Sequence, residues 1–263
     1  NSEARYYNTT YMQYLGFNMN GGFFSDPDMR RALTYLIDRT YIAQTLMSGG
    51  AESFVPTVVK SEASAAVASQ FSYSPKKTKE ILDAAGVSDY DKDGWVEYLS
   101  GNVPVEFTVR FIANKDNPAK LAAAESIAQA MRGLGINVDF HELSWEDYLS
   151  ALERGNFDMF YAEVKLTADF DLSELLFRNG SLNYGGINDN AYEILLSAYL
   201  SADDSLRETA AEALYNDIAN TAPIVPVVFR RQAMLTKRGI VSGAQPSASG
   251  VFNDIASWTV DLG

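Results

Sequence analysis

Two hydrophobic periods alternate along this chain, and the switching between them predicts an α/β fold. Val105, Phe107, Val109 and Phe111 are apolar and alternate with Glu106, Thr108 and Arg110, the two-residue period of a strand. Asn117-Pro118 then opens a helix whose buried stripe is Leu121, Ala124, Ile127 or Ala128, Met131 and Leu134, with Gly135 at its end. Ile136, Val138 and Phe140 resume the strand period. A strand, a helix and a strand of these lengths form a βαβ unit, so the two strands are expected to be parallel with a right-handed crossover. A short helix over 144–154 leads to an apolar run at Phe157, read as a buried strand.

Upstream, Tyr14 and Gly16 to Met19 read as a strand ending at Gly21-Gly22. Asp26 or Asp28 caps a helix with Pro27 near its first turn and Met29, Leu33, Leu36 and Ile37 at helical spacing. Asp38-Arg39 marks a boundary, and a second short helix runs to Met47 and stops at Gly49-Gly50. Residues 52–74 carry no clear period and read as a surface crossing; Ser74-Pro75 opens a helix ended by Gly86. Downstream, helices are expected over 191–200 and 203–220, the second capped by Asp203 or Asp204, and a strand over 223–229. The last thirty or so residues are rich in Ser, Gly and Ala and read as strand-poor.

The stretch 157–177 holds the chemistry that the pattern singles out. A strand ends there, an acidic turn over 169–171 follows, and a helix begins; in open α/β sheets ligands gather at such points. Asp171, with Glu174 three residues on, reads as a helix N-cap with its capping-box partner. Asp169 lies outside that role, and is either a solvated loop acid or a ligand contact. In Asp89-Tyr-Asp91-Lys-Asp93-Gly94, the acids match the start of a calcium loop. The twelfth position is Ser100, where a bidentate Glu is wanted. The segment therefore reads as a polar turn, with Asp89, Asp91 and Asp93 as the only candidate metal ligands and no metal assigned.

Composition narrows the function. The 263 residues allow one large domain or two smaller ones, and 47% are hydrophobic, enough for a sizeable core. With 34 acids against 21 bases the formal net charge is −13, which argues against nucleic acid and against adhesion to anionic lipid by charge. There is no cysteine, so disulfides and thiolate chemistry are excluded, and the lone histidine, His141, excludes a two-His metal site. His141 itself reads as a solvated or hydrogen-bonded residue on an exposed strand face. No apolar run is long enough to span a bilayer, and no leader peptide is visible; for a secreted protein the leader would lie upstream or have been removed. No phosphate loop, dinucleotide fingerprint or nucleophile elbow is present, and paired acids such as Asp169/Asp171 or Asp203/Asp204 have no second catalytic feature beside them. The residues alone describe a soluble α/β binder that is not an enzyme and needs no cofactor.

The order of motifs resembles the extracellular solute-binding proteins of family 5, the peptide receptors of ABC importers. Tyr14-Leu-Gly-Phe17-Asn18, Phe24, Asp26, Arg30-Arg31-Ala32-Leu33 and Ile37-Asp38-Arg39 carry the most specific part. Tyr73-Ser-Pro75 through Gly86, then Trp145, Tyr148-Leu149, Gly155, Phe157-Asp158 and Ala222-Pro223-Ile-Val-Pro226 continue it. The resemblance implies a periplasmic-binding-protein-like class II lobe with a mixed, mostly parallel sheet flanked by helices. It covers about the second half of the family, which makes residues 1–232 the C-terminal ligand-binding lobe and 233–263 a tail that returns to the other lobe. It implies an extracellular or periplasmic location, a peptide ligand, permease subunits as partners, and a lipid anchor outside this chain. Asp169 takes the position of the family's acid that holds the peptide ammonium, within Leu166, Thr167, Ala168 and Phe170, and Trp145 that of a tryptophan lining side-chain pockets. Leu166 and Phe170 stand where the motif has Trp and Tyr, and Asp171 is not followed by the usual Pro. A metal chelate or an oligosaccharide is the alternative ligand within the fold, and a hydrolase or partner-binding domain the alternative outside it.

Overall fold

Helix starts are where local chemistry acts most visibly. Asp26, Ser74 and Asn117 each accept a backbone N–H of the turn that follows, and each is succeeded by proline, whose missing N–H costs nothing in a first turn. The resulting helices are α1 (Pro27–Leu36), α3 (Pro75–Ala84) and α4 (Pro118–Arg132). Between the first two, α2 (Arg39–Tyr41) runs into a π-helical turn, Ile42–Leu46. The later helices are α5 (Trp145–Glu153), capped by Ser144, then α6 (Ser173–Leu176), α7 (Asn190–Ser201) and α8 (Arg207–Thr221). The computed structural model describes residues 2–53, 69–70, 72–247 and 250–261, so most of the expected crossing over 52–74 lies outside the described residues.

One six-stranded sheet organises the molecule. Its strands are β1 (Ser2–Phe17), β2 (Ala51–Ser53), β6 (Val109–Asn114), β7 (Val138–Leu143), β8 (Met159–Lys165) and β9 (Ile224–Lys237), in the order β2-β9-β1-β8-β6-β7. β6 pairs with β7 in parallel, as the βαβ pattern requires, and with β8 in parallel on its other side. The sheet is mixed and flanked by helices as expected, but three of its five pairings are antiparallel. The expectation of a mostly parallel sheet is corrected because β1 and β9, long strands far apart in sequence, pair with each other, and β1 with β8 and β9 with β2, outside any βαβ unit.

Alternation along the strands sorts side chains to two cores. Leu15, Phe17, Phe111, Met159 and Val225 face α1, α3 and α4, while Met12, Tyr14, Ile112, Phe160 and Phe229 face α5 to α8. A separate meander, β3 (Val87–Ser88), β4 (Glu97–Ser100) and β5 (Val103–Val105), follows α3. The single strand expected over 105–111 is thus two strands in different sheets, β5 and β6, parted at 106–108. An unbroken apolar–polar alternation specifies which face is buried and not which partner it pairs with.

β1 and β9 are longer than their apolar segments. Beyond an irregularity between Asn8 and Met12 they continue as a two-stranded ribbon, ending with Ser2 opposite Lys237. The expected boundary at 232/233 falls inside β9. The segment after it holds the end of β9 and a two-residue pairing of β10 (Val241–Ser242) with β11 (Thr259–Val260).

Candidate functional site

β6 and β8 point their carboxyl ends at the same edge of the sheet, and a cavity of about 140 Å³ opens there. Its walls come from α5, from Tyr14, Phe160 and Ala162 on the sheet, and from Leu182 and Tyr184 in the loop after α6. Trp145 is the first residue of α5, directly after β7, and is 55% exposed at the mouth. Its ring stacks on Tyr148, 6.0 Å between centroids, and its backbone N–H donates to Asp116 Oδ2 at 3.2 Å. Asp116 also accepts from Asn114 Nδ2, tying the turn after β6 to the turn after β7.

The floor is aromatic. Phe160 stands edge-on to both Tyr14 and Phe157 and lies across Gly16, the one position in this part of β1 without a side chain. Tyr148 donates its hydroxyl to the Tyr161 carbonyl at 2.8 Å. Tyr14 is 3% exposed, lines the cavity, and its hydroxyl makes no hydrogen bond among the described residues. Burial, and secondarily Tyr184, push its pKa well above the ordinary phenol range, so the group stays a neutral O–H. The hydroxyl has no protein partner among the described residues, and Tyr14 lines the space that a ligand would fill.

A polar cluster sits at the same sheet edge. Tyr161 donates to Gln13 Oε1 at 2.7 Å, and Gln13 Nε2 donates to Glu163 Oε2 at 3.0 Å. The other oxygen of Glu163 lies 3.7 Å from both Lys120 Nζ and an Arg230 guanidinium nitrogen. Arg230 in turn covers the Tyr11 ring at 4.1 Å. Tyr14, Tyr184, Lys120 and Glu163 were not picked out as pocket residues by sequence reasoning. They come from four distant parts of the chain, and only the placement of Tyr14 and Glu163 on paired neighbouring strands brings them to one site.

The residues from 166 to 170 form a tight turn beyond β8. Phe170 N–H donates to the Thr167 carbonyl at 3.1 Å, and Asp171 N–H to Thr167 Oγ1 at 3.1 Å. Phe170 takes a positive φ of 59°, which turns its ring inward against Phe229. Leu166 and Phe170 are buried in the core on the α8 side, while Thr167, Ala168 and Asp169 are exposed. None of the five lines the cavity at Trp145, so Trp145 and Asp169 share the sheet edge but not the pocket. Asp169 is held in place through its backbone, whose carbonyl accepts from Tyr199 at 2.7 Å. The capping box expected from Asp171 and Glu174 is corrected. Asp171 accepts the N–H and hydroxyl of Ser173 as α6 starts, whereas Glu174 accepts from Ser181 N–H at 2.9 Å and closes the following loop. His141 bonds Asp139 at 2.7 Å, in keeping with its hydrogen-bonded reading.

Helices on both faces of one mixed sheet, with an aromatic pocket at the carboxyl ends of its parallel strands, define a lobe of the α/β class with a pocket where ligands gather in such folds. The chain belongs to the bacterial extracellular solute-binding proteins, family 5, whose middle-region model matches residues 1–174. That family is one of non-enzymatic receptors that bind peptides and work with ABC transporters. The chain is 24% identical over 219 residues to the oligopeptide-binding protein AppA of Bacillus subtilis, covering 80% of this chain and 40% of that protein. It is 26% identical over 238 residues to the probable deoxycholate-binding periplasmic protein YgiS of Escherichia coli, covering 86% and 41%. The solved structure of AppA with a nonapeptide superposes with a TM-score of 0.74 at 19% identity, over 99% of this chain and 53% of that one. NikZ of Campylobacter jejuni with Ni(L-His) superposes with a TM-score of 0.73 at 19% identity, over 98% and 54%. The chain therefore spans about two fifths of the length of the curated relatives it matches.

Proposed function

We propose that this chain is the C-terminal ligand-binding lobe of an extracellular or periplasmic receptor that captures peptides and hands them to an ABC importer. The observation that carries the reading is the aromatic cavity under Trp145, at the carboxyl edge of the parallel strands, with Asp169 exposed on that same edge. A peptide side chain fills the cavity, with Trp145 closing over it and the Tyr14 hydroxyl as its polar partner. The peptide ammonium meets Asp169 outside the cavity in a charge-assisted hydrogen bond, with Thr167 and Ala168 beside it. The β1–β9 ribbon continues from this edge toward a second lobe, which supplies the facing wall, and residues 233–263 return to that lobe. A lipid anchor and the permease contacts belong to the rest of the receptor.

Calorimetry of the full-length receptor against a peptide library tests this. N-acetylation of a bound peptide is expected to weaken it about tenfold or more; equal binding of free and acetylated peptides removes Asp169 from the site. This lobe alone is expected to bind weakly, because half of the cleft wall is absent and closure cannot exclude water.

The separation of Asp169 from the cavity favours a second reading, an oligosaccharide or metal chelate that rests on the aromatic floor and uses no ammonium clamp. Mass spectrometry of the ligand co-purified with the full-length receptor separates the two.

A further inference from the structure

The loop between β3 and β4 lies far from the cavity, at the amino ends of the parallel strands. Its Val96 N–H donates to the carbonyl of Gly135, just ahead of β7, at 2.9 Å. Ser88 pairs with Glu97, so the hairpin brings the first acid of the loop, Asp89, beside the residue that ends it. One carboxylate oxygen from each of Asp89, Asp91, Asp93 and Glu97 lies within 4.8 Å of the others. An acidic cluster on a surface loop is common, and the N–H bonds that shape this turn would form in any Asp-rich turn. Glu97 sets this one apart. It is 2% exposed; Oε2 accepts the Tyr90 N–H at 2.8 Å, while Oε1 is buried with no hydrogen-bond partner. Among the described residues, no Lys, Arg or His side chain forms an ion pair with any of the four acids.

The geometry points to a calcium site formed by Asp89, Asp91, Asp93 and Glu97. All donors are hard carboxylate oxygens, which select Ca²⁺ over softer metals. The spacing of the first three acids, with glycine next, is that of the first half of a calcium loop. Gly94 has φ +100° with open space where a Cβ would stand, so the backbone turn requires glycine there. The closing ligand is Glu97 at the ninth position. The hairpin register brings it to the cluster, and the exposed Ser100 at the twelfth takes no part. The bound cation partners the orphaned Oε1, offsets the convergent negative charge and fastens the meander to the turn before β7. The site is structural and independent of the ligand pocket.

The test is calorimetry and thermal melting of the full-length protein, stripped with chelator and titrated with CaCl2 or MgCl2. The expected result is one Ca²⁺ per chain with a dissociation constant on the order of 10⁻⁴ M. The melting temperature should rise by about 5 °C at one hundred times that concentration, and Mg²⁺ should bind more weakly. Terbium should luminesce through Trp95, which is 41% exposed beside the cluster. Asp91→Asn and Asp93→Asn, at exposed positions where the fold tolerates them, should each weaken calcium about tenfold with an unchanged circular dichroism spectrum. Glu97→Gln should do the same or more. No heat and no melting shift at millimolar calcium would overturn the site, as would calcium binding unchanged in the Asp91→Asn/Asp93→Asn double variant.

Discussion

Arg30 and Arg39 sit on amphipathic stretches where a guanidinium would ordinarily reach solvent, yet each is 5% exposed. Arg30 donates to the carbonyls of Phe24, Ser25, Thr221 and Ala222, so one side chain gathers the end of α8 and the turn before α1. Arg39 does the same for Pro226 and Thr34. Burial lowers the pKa of Arg30, as its charge is taken out of water, and Tyr192 and Asp26 offset part of that effect. Arg30→Met is expected to cost about 3 kcal/mol in urea denaturation, because it strands several buried acceptors at once. Two of the pocket tyrosines, Tyr14 and Tyr148, should behave differently from each other. Tyr148→Phe removes the donor to the Tyr161 carbonyl and should cost about 1 kcal/mol of stability. Tyr14→Phe removes a hydroxyl with no partner among the described residues, so stability should stay within about 0.5 kcal/mol. Ligand affinity of the full-length protein should instead fall about fivefold, the equivalent of one hydrogen bond. At this scale little of the site was legible in sequence. The motif points to Trp145, which lines the cavity, but a hydroxyl left without a protein partner is visible only once its neighbours are in place.

At the scale of elements, the alternating stretch from β6 to β8 could be read directly, because each strand's apolar period and each helix's cap are local signals. The outer halves of β1 and β9 could not. Residues 2–8 are polar and only partly buried, and become a strand by pairing with residues more than 220 positions away. Asp171 and Glu174 illustrate the converse. The spacing fits a capping box, but the loop after α6 returns close enough for Ser181 to take Glu174 instead. Packing between elements constrains Gly16 on the same terms. A Cβ there would stand 2.1 Å from the Phe160 ring. Gly16→Ala should therefore cost about 1–3 kcal/mol and push the ring into the cavity. Thermal melting and ligand titration should register both effects; a variant with normal stability and affinity would show that Phe160 has another place to go.

For the molecule as a whole, the tyrosines couple stability to pH. Burial raises the pKa of Tyr14, Tyr148, Tyr161, Tyr199 and Tyr215, bringing Tyr199 to about 12. An unfolded tyrosine titrates near pH 10. Below that pH both states hold the proton, and the tyrosines contribute no slope. Above it the unfolded chain releases protons that the native state retains. Stability then falls with rising pH, by about 1.4 kcal/mol per unit for each tyrosine. Alkaline titration should show a cooperative step in which tyrosinate absorbance and the loss of circular dichroism coincide. A buried fraction that ionises gradually with the fold intact would contradict this.

The ribbon of β1 and β9 has a further consequence for how such a lobe can be reused. Ser2 and Lys237 are paired neighbours, so everything between them leaves from and returns to one place on the surface. A unit wired in this way behaves as a cassette. It can be spliced into a host loop, or its two ribbon ends joined and new termini opened at an exposed turn, without rerouting any core strand. An optical reporter fused across the two ribbon strands would sense twisting of the ribbon itself, and would turn ligand capture into a signal without touching the pocket.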